Sequence, residues 1–179
     1  YNRNKGGGGI MEQANDFFNA LLDQGKNMNV AKIVEIVSFK PDTMSVDVLP
    51  LPSEDNAIVL NVPVATVRTK DHLIYYPFKE GDKAVVIFID NDSDDILLGG
   101  DGTQTERQHD VSDAICIGGI TLFTETLTVE DPENLCIQNM KNTANIVIKE
   151  DGDININAKN IIMKAEQNIK LEAERIDLN

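Results

Sequence analysis

The sequence predicts a mainly β protein that starts with an amphipathic helix, continues as a small five-stranded barrel and ends in strands shared among three chains. Three observations support this prediction. Near the N-terminus, apolar residues recur at three- and four-residue steps. Five short runs with strand character follow them. The last quarter of the chain repeats a short alternating unit every seven or eight residues, and a fixed short period is typical of stacked architectures.

The first predicted segment, residues 1–25, combines a glycine-rich arm with an amphipathic helix. Four glycines at positions 6–9 lack a following Gly-Lys-Ser/Thr, which argues against a phosphate-binding loop. The apolar positions of the helix are Ile10, Met11, Ala14, Phe17, Phe18, Leu21 and Leu22. Gly25 is expected to end the helix. Its apolar face either packs on its own domain or docks onto a partner protein through Phe17, Phe18, Leu21 and Leu22.

Residues 26–105 are predicted to form one small β-domain. The predicted strands span residues 30–39, 44–49, 58–68, 83–90 and 96–98. A turn containing Pro41 joins the first two strands, and Pro63 suits an edge or a bulge of the third. The fourth is continuously apolar at 85–89, as expected of a central strand that is buried on both faces. Five strands in a segment of this size favour a barrel of the oligonucleotide/oligosaccharide-binding (OB) type.

The third segment, residues 106–179, settles into a repeat of strand-like units that we call rungs. The five rungs begin at Asn145, Asp153, Asn160, Asn168 and Arg175. Their alternation predicts strands with one apolar face. They are too short for the coils of a single-chain β-helix, and they lack the turn motif of a calcium-binding β-roll. An antiparallel meander remains open, although the later corners lack the Asn-Gly or Asp-Gly of tight hairpins.

We expect the rungs to be completed by other copies of the chain in an obligate homotrimer. One segment alone has an apolar face without a partner, whereas three intertwined chains would bury that face along a common axis. The residues predicted to line the axis are the apolar positions of the rungs: Ile146, Ile148, Ile154, Ile156, Ile161, Met163, Ile169, Leu171, Ile176 and Leu178.

Composition argues against several classes of function. The formal net charge is −14 at pH 7 and no Lys/Arg cluster is present, so nucleic-acid readout and binding to anionic membranes are not expected, because phosphate contacts need a basic surface. No apolar run is long enough to span a bilayer, and no signal peptide is expected. Cys116 and Cys136 are too few for a disulfide framework and are expected to be buried free thiols.

No motif predicts catalysis, a metal ion or a cofactor. The acidic run at 90–95 resembles the start of an EF-hand loop, but Asp95 stands where glycine is required, so we expect a solvated loop. His109, Asp110, Ser112 and Asp113 supply the residue types of a hydrolytic triad. Neighbours on one extended stretch point to alternating sides, however, and cannot converge. The sequence therefore predicts that the protein is not an enzyme.

Two stretches carry a resemblance to a known family. Residues 81–88 (GDKAVVIF), the acidic loop and residues 107–115 (RQHDVSDAI) resemble the OB-type N-terminal domain of baseplate central-spike, cell-puncturing proteins. Such spikes belong to contractile-tailed phages and phage-tail-like injection systems. Residues 62–64 (VPV) and 76–82 (YPFKEGD) fit the same pattern. The resemblance covers residues 30–120, and the rungs are similar in kind to the intertwined β-helical needle of these spikes.

The resemblance implies a homotrimer at the distal tail tip of a virion or phage-tail-like particle, made in the host cytoplasm. Its implied partners are the baseplate hub and tail tube proteins, and contraction of the sheath would drive the needle through the target cell envelope, with transient contact. Many such spikes end in an iron-binding His-x-His tip, which this sequence lacks. A separate tip protein, a blunt point and a shortened chain all remain open.

An alternative function belongs to a different class. In this interpretation the chain is a trimeric cell-wall glycan-binding module, and the β-helix is only its stalk. OB domains bind such ligands on one barrel face, and Tyr75, Tyr76 and Phe78 lie close together in one loop of the sequence.

Overall fold

The computed structural model describes residues 15–19, 29–102 and 105–177. The chain divides into two compact units, Tyr1–Thr121 and Leu122–Asn179, each with its own β-sheet. Among the described residues strands far outnumber helices, which confirms the predicted mainly β class.

The first unit is built on one curled sheet of five strands. The strands are β1 (Ala31–Lys40), β2 (Ser45–Pro50), β3 (Val59–Pro63), β4 (Lys83–Phe88) and β5 (Ala114–Gly119). They lie in the order β3-β2-β1-β4-β5, with antiparallel neighbours. At the two edges, Val64 forms a parallel bridge with Cys116, and the Ala65 amide donates to the Cys116 carbonyl at 2.8 Å. The sheet is therefore a half-closed barrel.

The inner face of this sheet carries the hydrophobic core. The buried residues are Val34, Ile36, Val46, Val48, Val62, Val64, Phe78, Ala84, Val86, Phe88, Ala114 and Cys116. Period-2 alternation explains which side chains point inward; in β4, Ala84, Val86 and Phe88 are buried, whereas Val85 and Ile87 lie on the outer face. Because full burial of a large aliphatic side chain contributes roughly 1.5–3 kcal/mol, this cluster provides the main stabilisation of the unit.

The prediction of a fifth strand at residues 96–98 is wrong. Asp94–Leu97 forms a short helix, and its two N-terminal aspartates suit the positive end of the helix dipole. The fifth strand is β5, which lies beyond the predicted domain limit at residue 105, and the first unit extends to Thr121. The third strand is also shorter than predicted, because β3 ends at Pro63, which has no amide proton to donate.

The second unit contains a three-stranded antiparallel meander. Its strands β6 (Leu135–Gln138), β7 (Asn145–Ile148) and β8 (Ile154–Asn157) pair in that order. β7 and β8 belong to the first two rungs, so these two rungs pair with each other within one chain. That sister chains complete them stays a prediction. Gly152 makes their hairpin possible: its φ is 95°, and its amide donates to the Lys149 carbonyl at 3.1 Å.

The later rungs differ from the first two. Residues 158–177 form no strand and are exposed along their whole length. Within its described residues the single chain thus contains no trimeric β-helix, and the meander that the sequence left open accounts only for β6–β8.

Only residues 15–19 of the predicted N-terminal helix are described. They are helical, and the side chains of Phe17 and Phe18 are 61% and 62% exposed. Leu21 and Leu22 lie outside the described residues. The full-length helix and its docking role stay predictions.

Candidate functional site

One face of the second unit's sheet carries the rung residues that the sequence predicts to line a common axis. Six aliphatic side chains form two cross-strand rows on this surface, which we call the rung face. The rows are Leu135, Ile148 and Ile154, and Ile137, Ile146 and Ile156. These side chains are between 37% and 62% exposed. Directly opposed residues on neighbouring strands are close enough to touch, so the rung face is one continuous apolar surface.

The opposite face of the same sheet is partly covered by the chain itself, at β6 and β7. Val147 is only 2% exposed. The Cys136 thiol donates to the Asp131 carbonyl at 3.0 Å, and the side-chain Nε2 of Gln138 donates to the Thr128 carbonyl at 2.6 Å. Residues 128–131 therefore lie against β6 and β7 on this side, although Asn155 and Asn157 of β8 are exposed. No described segment of the unit covers the rung face.

Asparagine side chains hold the register of the two rung strands. Asn145 is buried; its Nδ2 donates to Asn142 Oδ1 at 3.1 Å, and its Oδ1 accepts from Asn157 Nδ2 at 3.2 Å. A one-residue slip would move every side chain to the other face of the sheet. This asparagine pairing therefore keeps the aliphatic residues on the rung face.

The apolar positions of the later rungs remain exposed. Ile161, Met163, Ile169, Leu171 and Ile176 are between 48% and 64% exposed, and Leu178 lies outside the described residues. The seven- to eight-residue spacing places two such side chains in every rung. The apolar pattern of the rung face thus continues in sequence after the last paired strand.

A second cluster lies in the connection between β4 and β5 of the first unit. Arg107 donates to the carboxylates of Asp92 at 2.7 Å, Asp94 at 3.0 Å and Asp113 at 2.7 and 2.8 Å. The amide and hydroxyl of Ser93 both donate to Asp113 Oδ1 at 2.8 Å. We call these five residues the arginine cluster. It ties the helix Asp94–Leu97 to the start of β5.

Electrostatics explain why Asp113 stays ionised although its side chain is 0% exposed. Burial by itself raises the pKa of a carboxyl. Here the Arg107 ion pair and the Ser93 hydrogen bonds outweigh burial and lower the pKa of Asp113. The hydrogen bonds of Arg107 to Asp113 and, next, to Asp94 raise the pKa of Arg107. The ion pair of Arg107 with Asp113 therefore holds the loop in place.

The arginine cluster also bears on metal binding. Carboxylate oxygens of Asp92, Asp94 and Asp113 lie within 4.8 Å of one another, a spacing that could suit a divalent cation. The guanidinium of Arg107 donates to all three, so its positive charge already occupies the position that a cation would take. The expected solvated loop is in fact ordered by this arginine. The sequence signal that could have indicated this ion pair is Arg107, a single arginine that follows the acidic run at 90–95.

The residues that suggested a hydrolytic triad have separate partners. The Ser112 hydroxyl donates to Asp110 Oδ1 at 2.5 Å, and His109 Nε2 lies 3.3 Å from Asp90 Oδ1. The Ser112 hydrogen bonds lower the pKa of Asp110. His109 adopts a φ of 48° and its carbonyl accepts from Asn29 Nδ2 at 3.0 Å. These side chains cap and shape a turn and do not converge on one reacting point.

The first unit also has an open cavity of about 840 Å³. Its walls are the β1–β2 turn, the excursion at residues 66–75 and Leu97–Leu98. An antiparallel bridge between Arg68 and Leu73 holds the excursion as a hairpin. Tyr75 lines the cavity, whereas Tyr76 and Phe78 do not.

Residues 33–119, just under half of the chain, match the family model described as the phage protein Gp138 N-terminal domain. The matched segment runs from β1 to the end of β5, and the second unit lies outside it. No curated protein matches the chain significantly. Among the described residues, no helix is long and apolar enough to cross a membrane. The match supports a phage structural protein of the baseplate type, associated with the virion.

Proposed function

We propose that this chain is the central spike of a contractile-tail baseplate and acts as a homotrimer. In this proposal the first unit is an OB-type domain that caps the hub and tail tube, and the rungs form an intertwined β-helical needle. The observation that carries the proposal is the rung face, whose apolar pattern continues into rungs that have no partner strand among the described residues.

The architecture of the first unit supports the OB-type assignment. OB domains are five-stranded, partly open Greek-key barrels. The strand order, with β1 between β2 and β4 and a parallel bridge linking the β3 and β5 edges, agrees with that description. The family match to residues 33–119 covers nearly the same segment.

Backbone and side-chain chemistry both favour completion of the rungs by sister chains. β8 is an edge strand, and an unpaired strand edge is a template for another chain. Burying the exposed half of each rung isoleucine or leucine contributes roughly 1 kcal/mol. Three chains would pair the edges and bury the apolar positions at once, and a needle with all of its backbone groups paired resists bending.

The proposed role is mechanical. Contraction of the sheath would push the trimer into the target cell envelope, which it contacts only transiently. Hub and tail tube proteins are the proposed permanent partners, with Phe17, Phe18, Leu21 and Leu22 as the docking residues. A separate tip protein is compatible with the proposed role. Deleting residues 1–25 should then leave the trimer intact but unable to join the baseplate.

Light scattering after size exclusion tests the oligomeric state directly. We expect a trimer for the wild type and monomers for Ile161→Asp and Leu171→Asp, because each substitution would place three carboxylates near one buried axis. Lys164→Asp, at an outward rung position, is the matched control and should remain trimeric. A wild-type monomer at micromolar concentration would end the proposal. Trimers of both rung variants would show that the assigned axis residues are wrong.

A second candidate function is the binding of a cell-wall glycan in the first unit. The cavity beside the β1–β2 turn favours it, since its volume is within the range of ligand sites and Tyr75 offers an aromatic ring to a sugar. A glycan-array signal that disappears in Tyr75→Ala and persists in Tyr76→Ala would support this function. A wild type without any signal would count against it.

A further inference from the structure

The outer face of the first unit's sheet is apolar across three neighbouring strands. The residues are Ile33 of β1, Val85 and Ile87 of β4, and Ile115 and Ile117 of β5, and we call them the outer patch. Ile87 pairs with Ile115 and Ile33 pairs with Val85, while Ile117 lies at the irregularity between β4 and β5. Ile33, Ile87 and Ile117 are 49%, 37% and 50% exposed.

The outer patch makes no contribution to the core of its own unit. The core is formed by the alternate residues of the same strands, such as Val34, Val86 and Cys116. An antiparallel sheet with one solvated face normally alternates apolar and polar residues. β4 departs from this rule, since both of its faces are apolar. The sequence thus predicts a β4 covered on both sides, and the described residues of the chain cover only one.

We propose that the outer patch is buried against a second copy of this chain in the assembled trimer. This inference rests on the proposed function. Charge is the first argument for a copy. Each chain carries a formal charge of −14, so an interface between copies has to avoid close contacts between like charges. The outer patch is uncharged, and the charged residues beside it, Glu35 and Lys83, neutralise each other in an ion pair.

Size is the second argument. A stable interface between independent proteins buries about 800 Å² per partner, and five aliphatic side chains expose far less. Copies already joined through their rungs have an effective concentration in the millimolar range. A small apolar face is sufficient under that condition, whereas it would be weak for a separate partner protein.

Chain continuity is the third argument. β5, which carries Ile115 and Ile117, ends at Gly119, and the second unit begins at Leu122. The strand at the edge of the patch therefore leads within three residues into the second unit, which carries the rung face from Leu135 onward. The outer patch and the proposed rung interface thus belong to consecutive parts of the chain.

Thiol labelling of the full chain tests the proposal. Ile117→Cys is made in a Cys136→Ser background, because the remaining native thiol, Cys116, is buried. Maleimide labelling is compared between the trimer and the same chain carrying Leu171→Asp. We expect Ile117→Cys to react at least about tenfold more slowly in the trimer, because a covered thiol is shielded from the reagent. Leu60→Cys, exposed on β3, is the control and should react equally in both forms.

Ile33→Cys provides a second position on the patch and should be protected in the same way. Equal rates in trimer and monomer at both positions would overturn the inference and leave the proposed function intact. Slow labelling in both forms that is relieved by deleting residues 1–25 would assign the patch to the chain's own N-terminal segment and would also overturn it. A wild-type chain that is monomeric in light scattering would end the proposed function and this inference together.

Discussion

Arg107 holds Asp113 through both carboxylate oxygens, with its Nε 2.7 Å from Oδ2 and its Nη2 2.8 Å from Oδ1. This two-point geometry is the strongest form of a charged hydrogen bond between side chains. Asp113 immediately precedes β5, and its carbonyl accepts a hydrogen bond from the Ile89 amide at 3.0 Å. The ion pair therefore fixes where the last strand of the sheet begins.

Arg107→Ala should destabilise the first unit strongly, because it leaves the Asp113 carboxylate buried without its cation. We expect its melting temperature to fall by at least about 5 °C. Arg175→Ala is the matched control: Arg175 pairs with Asp177 on the surface, and loss of such a pair should shift melting by no more than about 2 °C. Calorimetry on both variants measures the difference. Equal shifts would show that the arginine cluster does not support the fold.

Asp47 should make the stability of the first unit depend on pH. The hydrogen bond from Lys40, together with one from the Asn61 amide, lowers the pKa of Asp47 from 3.8 to about 2. A carboxyl with a lowered folded-state pKa stabilises the fold above its unfolded pKa, and this contribution is lost as the pH falls from 3.8 towards 2. Lys40 is 40% exposed, so solvent screening limits the contribution to about 1 kcal/mol.

Asp47→Asn provides the measurement. Urea unfolding should show the variant less stable than the wild type at pH 6, with the gap closing near pH 2. A gap of constant size across this range would mean that the ionised carboxylate of Asp47 contributes nothing.

The strands that depend on local signals were predictable from the sequence. β1, β2 and β4 lie within two residues of their predicted limits, because alternation, a proline turn and Gly81 mark their ends within a few residues. Gly81 has a φ of 88°, which glycine adopts without steric cost. The continuous apolar run of β4, in contrast, predicted burial on both faces, whereas only Ala84, Val86 and Phe88 are buried.

The fifth strand and the arginine cluster depend on contacts that local patterns do not reveal. β5 pairs with β4 across a connection that includes the helix Asp94–Leu97. Its position is set by the ion pair of Arg107 with Asp113, and an arginine near an acidic loop has no periodic signature. No local pattern in the sequence indicated that Asp113 would be buried.

The rungs show a different limit. The alternation that predicts one apolar face does not say whether the neighbouring strand comes from the same chain. Asp151-Gly152 lets β7 and β8 pair within the chain, whereas the corners that follow have no glycine. The difference between the first two rungs and the later ones therefore lies in a single turn.

Gly152→Val should open the β7–β8 hairpin locally. A φ of 95° is unfavourable for a residue with a branched side chain, at roughly 1–2 kcal/mol. Gly152→Asn is the control, since asparagine tolerates positive φ better. Hydrogen exchange of the Lys149 amide, which donates to the Asp153 carbonyl at 2.9 Å, should accelerate several-fold more in the valine variant. Identical exchange in both variants would show that the turn does not hold the hairpin.

The two thiols should differ sharply in reactivity. Cys116 is fully buried in the core beside the β3–β5 bridge, and burial raises the pKa of its thiol; both effects slow its reaction, since the thiolate is the reactive form. Cys136 is only partly buried. A disulfide reagent at pH 8 should therefore titrate about one thiol per native chain quickly, and Cys136→Ser should abolish this phase.

The Cys116 thiol should react only when denaturant unfolds the first unit, at the same midpoint as the loss of its sheet signal in circular dichroism. A fast phase that survives in Cys136→Ser would mean that the β3–β5 edge opens in the native chain.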